Sequence, residues 1–293
     1  MIKMINIDLD GTLLNSEGKV SERTIEDFKK AKEKNIEIVI TSGRPPKSTL
    51  SIAEETGASR YIIAGNGAIV YDKKEDYNIF NGYLTQEKVL EIIDICEKNS
   101  IYYNVYTKND ILTKSFEYNI LFYHKENIFK PNDKKTNINL VEDIKKYIID
   151  NNISDFLKVT VCDNSKIIFQ NILKKLRQIQ GIDVLDVAHM SKKIIKEGTQ
   201  YFDVHYCYTE ISRAGINKWT AIKKLANYLN ISEEEILTIG DNINDYEMVK
   251  HAGIGVAMEN GSPKVKEVAT YITKNNQQDG VALAIEKYVL NDD

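Results

Sequence analysis

Two aspartates, Asp8 and Asp10, end the first apolar segment of the chain in the sequence IDLDGT. Alternate side chains of a strand point to the same face, so both carboxylates should leave the strand on one side, where Gly11 lets the chain turn. At an effective dielectric constant near 20, two carboxylates about 4 Å apart repel each other by roughly 4 kcal/mol. We therefore expect a compensating positive charge beside them.

Two further apolar segments end in polar residues and glycine. TSGR at residues 41–44 follows one of them, and GDNIND at residues 240–245 follows the other. The carboxyl ends of parallel strands lie along one edge of an open α/β sheet, so these residues should meet Asp8 and Asp10 there. Carboxylates, a hydroxyl and backbone N–H groups suit a hard divalent cation together with phosphate. The sequence thus predicts a Mg²⁺ site that also binds phosphate.

Such a group of residues can transfer a phosphoryl group. One carboxylate can attack phosphorus and form an aspartyl phosphate. A second carboxylate two residues further on can protonate the leaving oxygen and later deprotonate water. Lys218, at the start of a predicted helix, can add a positive charge at the same phosphate oxygens.

The elements that must position these residues alternate between strand and helix at both ends of the chain. The apolar patterns predict strands at residues 2–7, 36–40, 61–64, 68–71, 236–239 and 253–257. Helices are predicted at residues 21–34, 47–55, 218–229, 244–251, 263–268 and 279–289. This alternation is typical of an α/β fold with a Rossmann-like parallel sheet.

The middle of the chain, residues 83–203, is richer in Asn, Lys, Tyr and Ile. Helices are predicted there at 86–98 and 166–178, and strands at 101–106, 156–161 and 182–187. Residues 113–136 and 189–198 have no clear period and are predicted to be loops. We expect an α+β domain inserted into a discontinuous core that is formed by residues 1–82 and 204–293.

Composition narrows the choice of partners and compartment. With 39 basic and 43 acidic side chains, the net charge of −4 argues against nucleic acid as a partner. No run of eighteen uncharged apolar residues is present, so we expect neither a membrane-spanning segment nor a membrane partner. The start of the chain lacks a signal-peptide pattern. The three cysteines form no CxxC pair, which favours a reducing cytoplasm and excludes a thiolate zinc site.

Five ordered motifs resemble those of the haloacid dehalogenase superfamily: DxDGT at 8–12, SGRP at 42–45, NG at 66–67, the single Lys218 and GDNxND at 240–245. More narrowly, they resemble its Cof-type (subclass IIB) phosphatases, which carry a large α/β cap between the second and third motifs. The later GIGVAMENGSPKVKEVA and DGVALAI are similar as well. Over residues 83–203, only the size and position of the insertion match.

The resemblance implies a role for each residue of the first motifs. Asp8 would be the nucleophile and a metal ligand. Asp10 would be the general acid and base, and would bind the metal through its backbone carbonyl. Lys218 would neutralise the phosphoryl group and hold Asp8. The transferring group would be held by the side chain of Ser42 and by the N–H groups of Gly43 and Leu9.

The last motif completes the implied site. Asp241 would bind Mg²⁺, Asp245 would lie at or just behind the metal, and Asn244 would contact phosphate. Arg44 and Asn66 are further candidates for contact with the substrate. Both have simpler interpretations, because Asn-Gly is also the favoured dipeptide of a hairpin turn and an arginine is often a surface charge.

We therefore interpret the chain as a Mg²⁺-dependent phosphatase that acts on a small phosphorylated metabolite such as a sugar phosphate. The cap would close over the substrate and set selectivity. One alternative is a phosphomutase, which moves a phosphoryl group within a sugar by means of the same aspartates. Another is a sensor that binds a phosphorylated metabolite without turnover, although a sensor would not require Asp10.

Overall fold

The computed structural model describes residues 1–58, 60–185, 191–197 and 200–291, and side chains are described everywhere in these ranges except 191–205. The chain divides into two compact units. Unit 1 comprises Met1–Gly82 and Ile216–Asp293, and unit 2 comprises Tyr83–Gly215. No helix in the described ranges is long and apolar enough to cross a bilayer.

The first segment of unit 1 alternates strands and helices and ends in two hairpins. α1 starts where the hydroxyl of Ser21 accepts a hydrogen bond from the Thr24 N–H, which caps the helix. The elements are β1 (Met4–Ile7), α1 (Glu22–Glu33), β2 (Glu37–Thr41), α2 (Pro46–Glu55), β3 (Tyr61–Ala64), β4 (Ile69–Asp72) and β5 (Tyr77–Asn81).

Unit 2 is an α+β unit, as the sequence predicts. Its helices are α3 (Gln86–Lys98), α4 (Tyr118–Phe129), α5 (Ile144–Asp150) and α6 (Lys166–Leu176). Its strands are β6 (Tyr102–Thr107), β7 (Asp110–Thr113), β8 (Asn137–Leu140), β9 (Phe156–Asp163), β10 (Ile182–Val184), β11 (Ser191–Glu197) and β12 (Gln200–Arg213).

The second segment of unit 1 returns to the α/β alternation. Ser232 and Glu235 form a capping box that leads into the next strand. The elements are α7 (Lys218–Leu229), β13 (Ile236–Gly240), α8 (Tyr246–His251), β14 (Ile254–Met258), α9 (Pro263–Val268), β15 (Tyr271–Thr273) and α10 (Gly280–Ile285).

One eight-stranded sheet joins both segments of unit 1, in the order β15-β14-β13-β1-β2-β3-β4-β5. The strands from β15 to β3 are parallel, whereas β4 and β5 are antiparallel additions at the edge. β1, near the start of the chain, therefore lies beside β13, which follows the insertion. The buried strands read as continuous apolar runs because helices cover both faces of the sheet.

The sheet of unit 2 has the order β10-β12-β9-β6-β7-β8, with β11 paired to β12. Its neighbours are antiparallel except for β7 and β8. One face packs against α3, α5 and α6 through an apolar cluster of its own. This separate core agrees with the division of the chain into two units.

The second junction between the units does not lie between residues 203 and 204, where the sequence analysis expects it. The single strand β12 runs through that point and pairs in turn with β11, β9 and β10, so the chain leaves unit 2 only at Gly215. The first junction lies between Gly82 and Tyr83.

The structure also differs from the sequence prediction in the two segments that were predicted to be loops. α4 occupies part of 113–136, and it lacks an apolar period because Ile120 is its one buried residue. β11 occupies 191–197 of the segment 189–198. His189, Met190 and Gly198 lie outside the described residues, as do residues 186 and 187 of the strand predicted at 182–187.

Candidate active site

The four adjacent strands β13, β1, β2 and β3 end at the same edge of the sheet. Asp8 follows β1, Ser42 follows β2, Asp241 follows β13, and Gly65 follows β3. Parallel pairing of β1 with both β2 and β13 aligns these ends. The expectation that the polar residues after the strands meet at one edge is therefore confirmed.

Three aspartates form a compact cluster at this edge. One carboxylate oxygen from each of Asp8, Asp241 and Asp245 lies within 4.8 Å of the other two. Asp8 and Asp245 are buried, at 5% and 0% exposure, whereas Asp241 is half-buried. Acidic residues that are far apart in the sequence thus lie close together in the structure, as the sequence analysis predicts.

Lys218 connects two of these acids. Its ammonium group lies 2.5 Å from Asp8 Oδ1 and 2.6 Å from Asp245 Oδ1, and the side chain is buried at the start of α7. The capping box between Asn217 and Thr220 fixes the first turn of this helix and so the position of Lys218. Three ionised carboxylates and one ammonium leave the cluster with two negative charges in excess.

Burial and neighbouring charges shift the pKa values of Asp8, Asp241 and Lys218. Burial, together with the charge of Asp245, raises the pKa of Asp8 well above its usual range, although Lys218 opposes this effect. Burial and the charge of Asp245 also raise the pKa of Asp241 to about 7. Burial alone would lower the pKa of Lys218, but Asp245 and Asp8 outweigh it and raise that pKa. Ionisation of Asp8 and Asp241 at neutral pH therefore needs additional positive charge.

The donor set fits Mg²⁺. Its ligand atoms are carboxylate oxygens, which are the ligands that hard divalent cations prefer, and no cysteine or histidine takes part in the described cluster. A divalent cation would also balance the two excess negative charges. Asp8, Asp241 and Asp245 are thus suited to hold it.

Hydrogen bonds keep the acids in place. Asp245 Oδ2 accepts hydrogen bonds from the N–H groups of Asp241 and Asn242, at 2.9 and 3.0 Å. The Thr12 hydroxyl donates to Asp241 Oδ1 at 2.8 Å. The loop after β1 approaches so closely that a Cβ at Gly11, where φ is +91°, would lie 2.5 Å from Asp241 Oδ2.

Asp10 lies apart from the carboxylate cluster. Its side chain is 58% exposed and accepts two hydrogen bonds from Arg44, at 2.8 Å from Nε and 2.7 Å from Nη2. Strand alternation predicts that the side chains of Asp8 and Asp10 leave the strand on the same side. In the structure, however, the two carboxylates do not share one positively charged partner. Arg44 compensates Asp10, and Lys218 compensates Asp8. In the structure Arg44 pairs with Asp10, and its contact with the substrate stays a prediction.

The remaining candidates surround the end of β2. The hydroxyl of Ser42, which is buried, accepts a hydrogen bond from the Arg44 N–H at 3.1 Å. Asn66 lies in the turn between β3 and β4, as the hairpin interpretation predicts, with φ of +57°. Its Oδ1 also accepts a hydrogen bond from Asn244 Nδ2 at 3.1 Å, so it joins the site as well.

Close packing explains the small residue next to Ser42. A Cβ at Gly43 would lie 2.7 Å from Asn66 Oδ1. Glycine therefore allows the backbone to approach the Asn66 side chain closely. Leu9 is buried in the core cluster, so its side chain serves packing. The structure therefore joins Asp8, Asp241, Asp245 and Lys218 in one cluster. It pairs Asp10 with Arg44 and Asn66 with Asn244.

The sequence analysis missed two asparagines that hold the loop after β1. Asn260 Nδ2 donates to the Gly11 carbonyl at 2.8 Å, and Asn276 Nδ2 donates to the Leu14 carbonyl at 2.7 Å. Asn260 lies within the quoted segment GIGVAMENGSPKVKEVA, so the segment itself was the available signal. Nothing in the spacing of Asn276 indicates its role.

A family model described as haloacid dehalogenase-like hydrolase matches residues 5–285. The chain belongs to this family. A 5-amino-6-(5-phospho-D-ribitylamino)uracil phosphatase of Bacillus subtilis is 31% identical over 293 residues, which cover 98% of each chain. The resemblance inferred from the five motifs is thereby confirmed.

Solved structures give the same fold for this haloacid dehalogenase-like hydrolase. One from Bacillus subtilis has a TM-score of 0.80 and 26% identity, covering 98% of this chain and 100% of that one. A subclass IIB sugar phosphatase of the superfamily shares the fold with a TM-score of 0.73 and 22% identity, covering 99% and 100% of the two chains. The α/β fold class with a parallel-sheet core is confirmed, and the protein is a hydrolase, several of whose relatives are named phosphatases.

Proposed function

We propose that this hydrolase is a Mg²⁺-dependent phosphatase that cleaves small phosphorylated metabolites through an aspartyl-phosphate intermediate. The observation that carries the proposal is the cluster of Asp8, Asp241 and Asp245, in which Asp8 and Asp245 contact the ammonium of Lys218. It combines a carboxylate nucleophile with an excess of negative charge that suits a divalent cation. A merely structural cluster would be unfavourable, since buried charges are expensive unless compensated.

In the first step, an oxygen of Asp8 attacks phosphorus and the bond between phosphorus and the leaving oxygen breaks. Asp10 donates a proton to that oxygen, so the alcohol leaves neutral. In the second step, Asp10 takes a proton from water, and the water oxygen attacks phosphorus. The bond to Asp8 then breaks, which releases phosphate and restores both aspartates.

The other residues would hold the phosphoryl group. Lys218 would neutralise charge on its oxygens while keeping Asp8 oriented. The Ser42 hydroxyl and the N–H groups of Leu9 and Gly43 would donate hydrogen bonds to the same oxygens. Asn244, tied to Asn66 in the structure, would contact phosphate from the side of β13.

The metal would be held by Asp8, Asp241 and Asp245, with the backbone carbonyl of Asp10 as a further ligand. When bound, Mg²⁺ supplies positive charge that stabilises the phosphoryl oxygens and keeps the acids ionised. The raised pKa values of Asp8 and Asp241 support this requirement, because these acids would otherwise compete for protons near neutral pH.

We propose that unit 2 is the cap that sets selectivity for the alcohol part of the substrate. One relative is named as a phosphatase of 5-amino-6-(5-phospho-D-ribitylamino)uracil. This supports a small phosphorylated metabolite with a sugar-like chain as the substrate of the present hydrolase. Net charge makes nucleic acid a poor alternative.

We also propose a cytoplasmic location. Cys96, Cys162 and Cys207 are buried and form no disulfide within the described residues, which suits a reducing compartment. Expression with a fluorescent tag would test this, and enrichment in an oxidising compartment would contradict it.

Hydrolysis of p-nitrophenyl phosphate with Mg²⁺, and again after EDTA, tests the activity. We expect release of free phosphate that EDTA abolishes and Mg²⁺ restores. On a hexose phosphate, isomerised ester without free phosphate would indicate the mutase instead. Binding without turnover on any ester would indicate the sensor.

A further inference from the structure

A cavity of about 710 Å³ lies in unit 1, at the edge of the sheet opposite to the candidate active site. We call it the edge cavity; the lining residues that matter here are Ile36, Glu37, Leu50, Ala58, Tyr71, Lys73 and Lys74. Glu37 is the first of the five residues of β2, and Ser42 follows the last one. An extended strand of this length spans roughly 13 Å, so the edge cavity is separate from the aspartate cluster. Its volume is typical of sites that bind small molecules.

The floor of the edge cavity is apolar. Ile36 and Ala58 are buried in the core of unit 1, and Leu50 and Tyr71 are partly buried against the same cluster. The Tyr71 hydroxyl donates to Asp76 Oδ1 at 2.7 Å, which holds the ring in place. Apolar and aromatic side chains dominate the walls of small-molecule sites, so this floor suits a flat ring system.

One wall of the edge cavity carries a carboxylate with an unpaired oxygen. Glu37 Oε2 is buried and makes no hydrogen bond within the part of the chain that the structure describes. Removing a polar atom from water without a new partner costs free energy, and the cost is largest for a charged group. The terminal torsion of glutamate is soft, so the carboxylate can turn this oxygen towards a donor in the cavity. A ligand with N–H groups would supply the missing partner.

The opposite wall is basic. Lys73 and Lys74 follow β4, and neither forms an ion pair among the residues that the structure describes. Arg60, in contrast, contacts both Asp72 and Glu75, so its charge is already balanced. Two adjacent lysines without acidic partners suit a phosphate group.

The order of strands sets the distance between the two walls. β3 lies between β2 and β4, and neighbouring strands are about 4.8 Å apart, so the backbones at Glu37 and Lys73 are separated by roughly 10 Å across the sheet. The Lys73 N–H donates to the Arg60 carbonyl just before β3, which keeps Lys73 at the same end of the sheet as Glu37. The base edge and the 5′-phosphate of a nucleotide are separated by a similar length.

We propose that the edge cavity binds a guanine nucleotide. The Watson–Crick edge of guanine carries two adjacent N–H donors, at N1 and at the N2 amino group, which match the two oxygens of the Glu37 carboxylate. Adenine has an acceptor, N1, beside its amino group, so a lone pair would face one of these oxygens. The purine would lie on the apolar floor, and Lys73 and Lys74 would bind the phosphate. This site lies beyond the proposed phosphatase reaction and does not depend on it.

Isothermal titration calorimetry of the full chain in EDTA tests the site, with GMP, AMP and guanosine as ligands. EDTA removes the divalent cation that the proposed reaction needs, so the esters stay intact. We expect the wild type to bind GMP about tenfold more tightly than AMP or guanosine. Glu37→Gln should reverse the preference between the two nucleotides, because the glutamine amide donates one hydrogen bond and accepts another, as adenine requires.

The double variant Lys73→Ala, Lys74→Ala tests the phosphate end independently. We expect it to bind GMP about tenfold more weakly and to bind guanosine as the wild type does. Glu54→Gln is the matched control for Glu37→Gln, because Glu54 also lines the cavity but is exposed. It should keep the preference for GMP over AMP. Thermal unfolding of each variant shows whether it is folded.

A wild type that does not bind GMP, or that binds GMP and AMP equally, would overturn the proposal. A folded Glu37→Gln variant that keeps the wild-type preference would also overturn it, since a nucleotide at the aspartate cluster would not respond to this change. Wild-type affinity for GMP in the double lysine variant would contradict the proposal in the same way.

Discussion

At the scale of single residues, each of the first two aspartates has its own cationic partner. Lys218 contacts Asp8 inside the protein, and Arg44 contacts Asp10 at the surface. A lysine ammonium is a point charge that suits a compact buried cluster, whereas the planar guanidinium group binds both oxygens of one carboxylate. The two partners thus fix two acids in different environments, which suits the proposed nucleophilic role of Asp8 and the proposed proton-transfer role of Asp10.

Asp8→Asn should abolish phosphate release and leave the fold intact. The amide cannot attack phosphorus, so we expect the rate to fall by roughly a thousandfold or more. Lys218 keeps its contact with Asp245, which limits the structural effect. Phosphate release and thermal unfolding measure the two effects, and full turnover by a folded variant would refute covalent catalysis.

Arg44→Lys should impair proton transfer by Asp10, because lysine cannot reproduce both hydrogen bonds. Alkyl phosphates depend on protonation of the leaving oxygen, and p-nitrophenyl phosphate depends on it little. We expect kcat to fall about tenfold for glycerol 3-phosphate and less than about twofold for p-nitrophenyl phosphate. Equal losses on both esters would contradict this role.

Arg60→Lys is the control for that experiment. Arg60 forms a similar two-bond pair with Asp72 in unit 1, at 2.6 and 2.5 Å. Loss of this two-bond pair should affect stability alone. The ratio of the kcat values for the two esters should stay as in the wild type.

At the scale of elements, the sequence predicted most of the fold in unit 1, because buried parallel strands have strong apolar runs. Prediction failed where tertiary contacts outweigh local pattern. α4 is fixed by polar and aromatic contacts with β6, and β12 is defined by three successive partners. The pairing of Asp10 with Arg44 could not be predicted either, since spacing along one strand says nothing about where a side chain in the loop after the next strand points.

Gly11→Ala should disturb the metal site through the loop after β1. The position needs a positive φ, and a Cβ would meet Asp241 Oδ2. We expect the Mg²⁺ concentration for half-maximal activity to rise about tenfold, as small displacements of ligands have large effects. Gly18→Ala is the matched control, because φ there is +73° but no atom lies within 4 Å of the added Cβ. It should lower stability by about 1 kcal/mol and leave the Mg²⁺ dependence unchanged.

At the scale of the whole molecule, the stability of the metal-free protein should depend on pH through Asp241. Its pKa is about 7 in the folded protein, against an ordinary value of 3.8. Between these values the folded state binds more protons than the unfolded state, so the free energy of unfolding falls as pH rises through this window. Mg²⁺ should offset this loss by replacing the proton.

We therefore expect Mg²⁺ to raise the unfolding temperature more at pH 7.5 than at pH 5.5, with EDTA as the reference at each pH. Subtracting the unfolding temperature in EDTA from that in Mg²⁺ at the same pH cancels the contribution of groups that titrate far from the metal. In Asp241→Asn, the rise in unfolding temperature that Mg²⁺ causes should be small at both pH values. An equal increment at both pH values in the wild type would contradict coupling between the metal and Asp241.

The order of strands in unit 1 has a consequence for biosynthesis. Thr12 and its partner Asp241 are separated by 229 residues, and β1 must wait for β13 to be translated before both its edges are paired. A growing chain on the ribosome can fold unit 2 earlier, since that unit is one continuous stretch. Catalytic competence would then arise late and all at once, when the segment that carries Asp241 and Asp245 has emerged.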